Sequence, residues 1–306
     1  MSKRKQSQNQ NSDEEAASSD ASLIDVDFDF FNPNPSVDYQ AIKHLLGQLF
    51  QKDSEAFHLH DLTELILSQP TIGTTIKTDG EDSDPYALLT VLNMHVHRDH
   101  PSITALANYF LQKTSSSSNP DPNQQAFHTT LQSLFSQTQN HVGLVLCERL
   151  INMPVQVIPH MYRMLVDELQ NAIEENSAFS FTHLLIPSRT YHLSLSDESR
   201  LANSQSRNVS SKRKKLRKPP SASTGEGMSR PEDGIYSFHP EDECIKEFAM
   251  HTMNYHFTST SDSSTTDSES RPKDAFGLDI RARLMLVPAE RFREMVRKMG
   301  EIYTAA

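Results

Sequence analysis

The sequence has few cysteines and no long apolar run. Cys147 and Cys244 are the only two cysteines among 306 residues, too few for a disulfide framework and typical of a reducing compartment. No segment approaches the ~18 consecutive apolar residues that a transmembrane helix needs. The first residues, MSKRKQSQNQNSDEE, have no apolar core of the kind found in secretory signals. We therefore expect a soluble intracellular protein without membrane insertion.

The sequence also lacks the short motifs of common enzyme classes. Phosphate-binding, dinucleotide-binding and nucleophile-elbow patterns are absent, and the only Gly-x-Gly, at 225–227, lies in a Ser/Pro-rich segment. His95 and His97 would share a strand face, but no further pair of ligands has the spacing of a zinc site. The acidic stretch 79–84 lacks the sixth-position glycine and twelfth-position glutamate of a calcium loop. We expect no catalytic, cofactor-binding or metal site.

Charge is unevenly distributed along the chain. The formal net charge of −11 argues against the whole chain binding nucleic acid, although local patches matter more than the total. One basic run consists of Lys212, Arg213, Lys214, Lys215, Arg217 and Lys218. In its Ser/Pro-rich setting it must be solvated, which favours a nuclear localisation signal over an inert linker. Binding to nucleic-acid phosphates is a weaker alternative, because no aromatic residue is interleaved to stack on bases.

A β-hairpin is predicted near the middle of the chain. Two β-compatible runs, Thr74–Thr78 and Tyr86–His97, flank an acidic turn, and Ala87–Leu92 is nearly continuously apolar, as in a strand buried on both faces. Gly80 permits a positive φ and Pro85 removes a backbone donor, so a turn is expected between them. The turn carries four carboxylates: Asp79, Glu81, Asp82 and Asp84. We interpret this acidic tip as a surface for a basic partner.

Strands interleave with helices along the remaining sequence, which predicts an α/β (α+β) fold with a mixed central sheet flanked by helices. Composition predicts a disordered tail over 1–22 and one domain over 23–306. A disordered linker at 196–231 and a Ser/Thr/Asp-rich loop at 259–273 interrupt this domain.

Three local patterns predict details of this domain. Ile24–Phe31 alternates apolar and acidic residues; this favours an edge strand whose aspartates discourage pairing, with a docking strand for a basic partner as the alternative. Ser36 or Asp38 is expected to cap the helix that begins near Tyr39. The helix predicted over Met161–Glu175 has four residues expected to point inward: Met164, Leu165, Leu169 and Ile173.

Three segments together resemble the BCCIP family and its fungal Bcp-type members. They read VDFDFFNPNPSVDYQAIKHLLGQLF, TTIKTDGEDSDPYALLTVLNMH and HVGLVLCERLINMPVQVIPHMYRMLVDEL. The landmarks are the aromatic-acidic entry Val26–Phe31, the Lys77–Gly80 turn and the Asn152–Pro154 break. The resemblance covers Ile24–Leu195 and, more loosely, Gly234–Val287.

This resemblance implies a non-enzymatic nuclear protein that shuttles to the cytoplasm. The implied partners are a basic large-subunit ribosomal protein, which is chaperoned during ribosome assembly, a phosphatidylinositol phosphate kinase as nuclear-export cargo, and nuclear transport receptors. The implied fold is like that of GNAT acetyltransferases without a cofactor site, and the acyl-CoA motif Arg/Gln-x-x-Gly-x-Gly/Ala is absent here. No catalytic residue transfers from the family. A degenerate or active GNAT-like acetyltransferase is the alternative.

Overall fold

The computed structural model describes residues 26–69, 71–115, 121–175, 178–195, 231, 233–258 and 279–304. Its strands are β1 (Asp29–Phe31), β2 (Thr74–Lys77), β3 (Ala87–Asn93), β4 (Val142–Arg149), β5 (His183–His192), β6 (Ile235–Ser237), β7 (His251–His256) and β8 (Asp279–Pro288). Its α-helices are α1 (Tyr39–Phe50), α2 (Leu59–Leu67), α3 (Pro101–Ser115), α4 (Pro122–Ser136), α5 (Ile158–Glu174), α6 (Glu241–Phe248) and α7 (Phe292–Tyr303). None of the helices in these ranges combines the length and apolarity needed to cross a membrane.

All eight strands belong to one sheet, in the order β1-β2-β3-β4-β5-β8-β7, with β6 also paired to β5. Every pairing is antiparallel except that of β4 with β5. The parallel pair needs a crossover, and α5 supplies it. The mixed sheet with flanking helices confirms the predicted fold class, whereas the comparison with GNAT acetyltransferases stays a prediction.

The strands β4 and β5 pair over a short stretch and then diverge. Only Val142–Leu144 pairs with His183–Leu185. The strand β8 follows the other edge of β5 over its full length. The strand β6 must therefore occupy the β4-facing edge of β5, where it pairs with the last three residues of that strand, Thr190–His192. We call the opening between the C-terminal halves of β4 and β5 the fork.

Helices cover both faces of the sheet and create two apolar cores. All seven residues of β3 are buried, because its side chains alternate between these cores. Leu88 and Leu92 pack into the core beneath α1–α4. Leu89 and Val91 pack into the core beneath α5–α7. Burial on both faces explains the nearly continuous apolar run that predicted a central strand.

The predicted hairpin is present as β2 and β3, with Thr74 opposite Leu89 and Ile76 opposite Ala87. The preceding strand β1 lies at the sheet edge, as expected, and spans Asp29–Phe31. Of the predicted strand Ile24–Phe31, residues 26–28 are outside β1, and residues 24 and 25 lie outside the described residues. The tail 1–22, the loop 259–273 and all but residue 231 of the linker 196–231 lie outside the described residues.

Candidate partner-binding surface and buried ion cluster

The acidic tip presents its carboxylates to solvent. Asp79, Glu81, Asp82 and Asp84 are all exposed. Within the described residues no lysine, arginine or histidine forms an ion pair with them, and the nearby Lys77 is bound to Asp38 instead. The negative charge of the tip is therefore available to a partner.

A buried ion pair anchors the tip to the fold. Lys77 Nζ lies 2.6 Å from Asp38 Oδ1 and donates to the backbone oxygen of Glu81 at 2.5 Å. Both side chains of the pair are fully buried, at 0% exposure. The second carboxylate oxygen of Asp38 accepts the backbone N–H of Asn34 at 2.8 Å. Asp38 occupies the N-cap position of α1, one of the two positions predicted, but its carboxylate makes no capping bond because Asn34 and Lys77 engage it.

The backbone of the tip is also fixed. The N–H and hydroxyl of Ser83 both donate to the carbonyl of Gly80, at 3.2 and 2.8 Å. Gly80 has a φ of 85°, a conformation that glycine adopts without steric cost. Tyr86 N–H donates to Ile76 O at 2.8 Å and closes the loop. The carboxylates are thus presented from an ordered turn, which lowers the entropy lost when a partner binds.

An exposed isoleucine lies beside the tip. Leu150 N–H donates to Tyr86 O at 3.0 Å, and the next residue, Ile151, has 82% of its surface exposed. On the other side of the hairpin, Asp29 of β1 lies opposite Lys77; Asp29 and Asp27 are both exposed. We call the tip carboxylates together with Asp27, Asp29 and Ile151 the acidic surface. Sequence reasoning missed Ile151, although it directly precedes the Asn152–Pro154 break, where the chain leaves the buried strand.

The basic run Lys212–Lys218 lies outside the described residues. The structure therefore gives no position for the predicted nuclear localisation signal, and the signal stays a prediction.

His95 is engaged by the fold rather than by a ligand. Its Nε2 bonds to Leu134 O at 3.0 Å, and its Nδ1 accepts the backbone N–H of Val142 at 3.1 Å. The ring stacks on His141 with centroids 5.2 Å apart. Burial lowers the pKa of His95. Among the described residues, no three His, Cys, Asp or Glu side chains gather in a way that would hold a metal ion.

The fork contains a buried ion cluster that the sequence did not reveal. We call it the fork cluster; its members are Glu148, Arg149, Ser188, Arg189, His239, Glu241 and Asp242, all buried. Arg189 binds both carboxylate oxygens of Glu148, at 2.8 and 3.0 Å. Arg149 of β4 donates to both carboxylate oxygens of Glu241 at the start of α6. These pairs join β4, β5 and the start of α6.

Burial and ion pairing shift the pKa values of the acidic and histidine side chains in the fork cluster. Burial by itself would raise the pKa of Glu148, but hydrogen bonds from His239 and Arg189 outweigh it and hold this pKa at about 2. Burial would lower the pKa of His239, yet its bond to Glu148 at 2.9 Å raises it. Burial raises the pKa of Asp242 to about 6, against the opposing charge of His239. Asp242 therefore titrates in the mildly acidic range.

The two thiols are not activated. Burial raises the pKa of Cys147 and raises that of Cys244 to about 11. A nucleophilic cysteine needs the opposite shift. Both cysteines remain protonated at neutral pH and act as packing residues.

Comparisons with known proteins agree with the resemblance seen in the sequence. The BCCIP family model matches residues 23–245. Protein bcp1 of Emericella nidulans is 40% identical over 272 residues, which cover 89% of this chain and 85% of that protein. Protein bcp1 of Schizosaccharomyces pombe is 40% identical over 276 residues, which cover 90% and 89%. The crystal structure of BCP1 from Saccharomyces cerevisiae matches with a TM-score of 0.57 at 24% identity, covers 95% of this chain and 96% of that one, and shows a shared fold.

Proposed function

Because the chain belongs to the BCCIP family, we propose that it is a non-enzymatic nuclear adaptor and chaperone that shields a basic protein. The client is a basic large-subunit ribosomal protein during ribosome biogenesis, and a phosphatidylinositol phosphate kinase is a cargo for export. The protein shuttles between nucleus and cytoplasm with nuclear transport receptors, and the basic run Lys212–Lys218 serves as its import signal. The observation that carries the proposal is the ordered, exposed acidic tip, whose four carboxylates form no ion pair with the described part of the chain.

Electrostatics gives this surface its function. Complementary charge accelerates encounter and suppresses association with acidic proteins. The tip carboxylates would replace the phosphates that a ribosomal protein meets in its final assembly. Ile151 adds an apolar contact among the charges, which an interface needs for slow dissociation. A client would then be held until nucleic acid competes for the same cationic side chains.

The fork bears on the alternative, a GNAT-like acetyltransferase. Ligands of open α/β sheets bind in crevices at the carboxyl ends of parallel strands. Here β4 and β5 diverge toward those ends, and the fork cluster fills the space with paired side chains. This packing favours the adaptor over an enzyme that admits a cofactor at the fork.

Neutralising the tip tests the proposal. The variant Asp79→Asn/Glu81→Gln/Asp82→Asn/Asp84→Asn keeps the side-chain shapes and removes four charges. We expect the basic ribosomal protein that co-purifies with the wild type at low salt to bind the variant at least about tenfold more weakly, because each lost attraction contributes in the same direction. Fluorescence titration at several salt concentrations measures the affinity, and the salt dependence should flatten.

A matched control neutralises four exposed carboxylates outside the acidic surface: Glu55, Glu64, Asp99 and Asp167. This control should bind as the wild type does. Equal binding by the tip variant, or a wild type that captures no basic ribosomal protein, would contradict the proposal. A rise in melting temperature with acetyl-CoA would instead favour the acetyltransferase.

A further inference from the structure

A groove runs between the helices α5 and α7 on the face of the sheet opposite α1–α4. The two helices run in opposite directions, because α5 follows β4 whereas α7 follows β8, which is antiparallel to β5. Two adjoining cavities of about 350 and 610 Å³ lie along the groove and share Val166 and Arg293 in their walls.

The floor of the groove is apolar. The larger cavity, near the N-terminal half of α5, lies over Val166 and Val296. The smaller cavity, near the C-terminal end of α5, is lined by Leu169, Ile173, Phe179, Phe181 and Phe292. Ile173 is 43% exposed, so its predicted inward position is wrong. It borders the groove instead of packing into the core.

The rim of the groove carries three exposed arginines: Arg163, Arg293 and Arg297. Arg163 and Arg293 form no ion pair in the part of the chain that the structure describes, and Arg293 donates only to the amide oxygen of Gln170 across the groove. Arg297 pairs with Glu301 one turn further along α7. Glu290 lines the smaller cavity, at the opposite end of the groove from Arg297. On a chain with net charge −11, the middle of the groove is locally basic.

We propose that this groove binds an acidic amphipathic helix of a partner protein. A helix suits the site because the walls are two helices, and they offer no unpaired strand edge to an extended peptide. The segment of α5 from Arg163 to Ile173 is ~15 Å long, so it accommodates a bound helix of about ten residues. Apolar side chains of the bound helix, spaced one to two turns apart, would enter the two cavities. Acidic side chains of the same helix would pair with Arg163 and Arg293.

This binding site is distinct from the acidic surface and selects the opposite charge. The tip belongs to the loop between β2 and β3, whereas the groove lies on α5 and α7. Binding in the groove is therefore additional to the proposed function and does not depend on it. With both sites, one molecule would bridge a basic client and a partner that carries an acidic helix.

Selection from a displayed library of helical peptides tests the proposal on the full chain. We expect the enriched peptides to share apolar residues at i, i+3 or i+4, and i+7, flanked by Asp and Glu. Calorimetry then compares the consensus peptide on the wild type and on Arg163→Glu/Arg293→Glu, which reverses two exposed charges. We expect the variant to bind at least about tenfold more weakly, and binding to the wild type to weaken with salt.

The matched control is Lys52→Glu/Arg98→Glu, which changes the net charge equally at two exposed positions outside the groove and should leave binding unchanged. The four-residue tip variant should also bind the peptide normally, so failure of this proposal is distinguishable from failure of the proposed function. Peptides without acidic enrichment, or equal binding by the groove variant, would overturn the proposal. So would self-association of the wild type in sedimentation experiments that the groove variant abolishes, because a second copy would then be the occupant.

Discussion

At the scale of single residues, the pair Lys77–Asp38 is a fully buried ion pair beside the acidic surface. Taking two charges out of water is costly, and the attraction between them compensates only when the remaining donors and acceptors are also satisfied. Here Lys77 has a second acceptor in the Glu81 carbonyl, and Asp38 has a second donor in the Asn34 N–H. The pair therefore fixes the tip to the start of α1.

Removing the cation alone should be strongly destabilising. We expect Lys77→Met to lower the free energy of unfolding by about 3–5 kcal/mol, because Asp38 remains buried without its partner. Urea unfolding at pH 7 measures the change. The double variant Lys77→Met/Asp38→Leu should recover more than half of the loss, and the exposed Lys52→Met should cost less than about 0.5 kcal/mol. A Lys77→Met variant as stable as Lys52→Met would show that the pair contributes little.

At the scale of secondary-structure elements, the fork cluster takes the place of the backbone pairing that β4 and β5 lack. Their separation leaves strand edges that β6 and the start of α6 cover. The first residues of α6 are held by polar contacts: Glu241 binds Arg149, and Asp242 accepts a hydrogen bond from the hydroxyl of Ser188. Further along the helix, Ile245 and Phe248 pack into the apolar core. A buried carboxylate in this position makes the attachment of α6 dependent on pH.

The pH dependence of Asp242 has a definite sign. Its pKa is raised from an ordinary 3.8 to about 6 by burial, so the folded state binds the proton more tightly than the unfolded state. The stabilisation is complete well below pH 3.8 and is lost as the pH rises from about 3.8 through about 6, by roughly 3 kcal/mol in total. We expect the difference in unfolding free energy, wild type minus Asp242→Asn, to fall by most of this amount, roughly 2 kcal/mol, between pH 4 and pH 7.

Urea unfolding at intervals of half a pH unit measures that difference. The exposed Asp99→Asn serves as the control, and its difference from the wild type should stay flat across the range. A flat profile for Asp242→Asn as well would show that Asp242 ionises in the folded state as it does in the unfolded chain.

At the scale of the whole molecule, the sequence predicted the strands and helices better than it predicted the tertiary contacts between them. The central strand β3 and the hairpin were readable, because burial on both faces leaves a continuous apolar run and turns require glycine or proline. The fork cluster was not readable, because its ion pairs join residues that are distant in sequence, such as Arg149 and Glu241. Ile173 was misplaced since its helical spacing matches an inward face, whereas the space beside it is the groove.

The single domain predicted over 23–306 can be tested by limited proteolysis. Trypsin should cleave first within Lys212–Lys218, because consecutive basic residues in a Ser/Pro-rich segment are good substrates when unfolded. We expect the two fragments to co-elute in size-exclusion chromatography, since β5 pairs with β6 and β8 across the cut. Fragments that separate without denaturant would contradict one domain and indicate two.

The pairing of β5 with β8 also sets an order of events during synthesis. These two strands pair over ten residues, yet about 90 residues of chain lie between them. A ribosome takes roughly 5–20 s to add a segment of that length. During that interval β5 has no neighbour on its outer edge, and a free apolar edge is a template for aggregation. Loop closure over such a distance is also slow. A protein proposed to guard another chain therefore passes through a stage in which its own nascent chain needs protection.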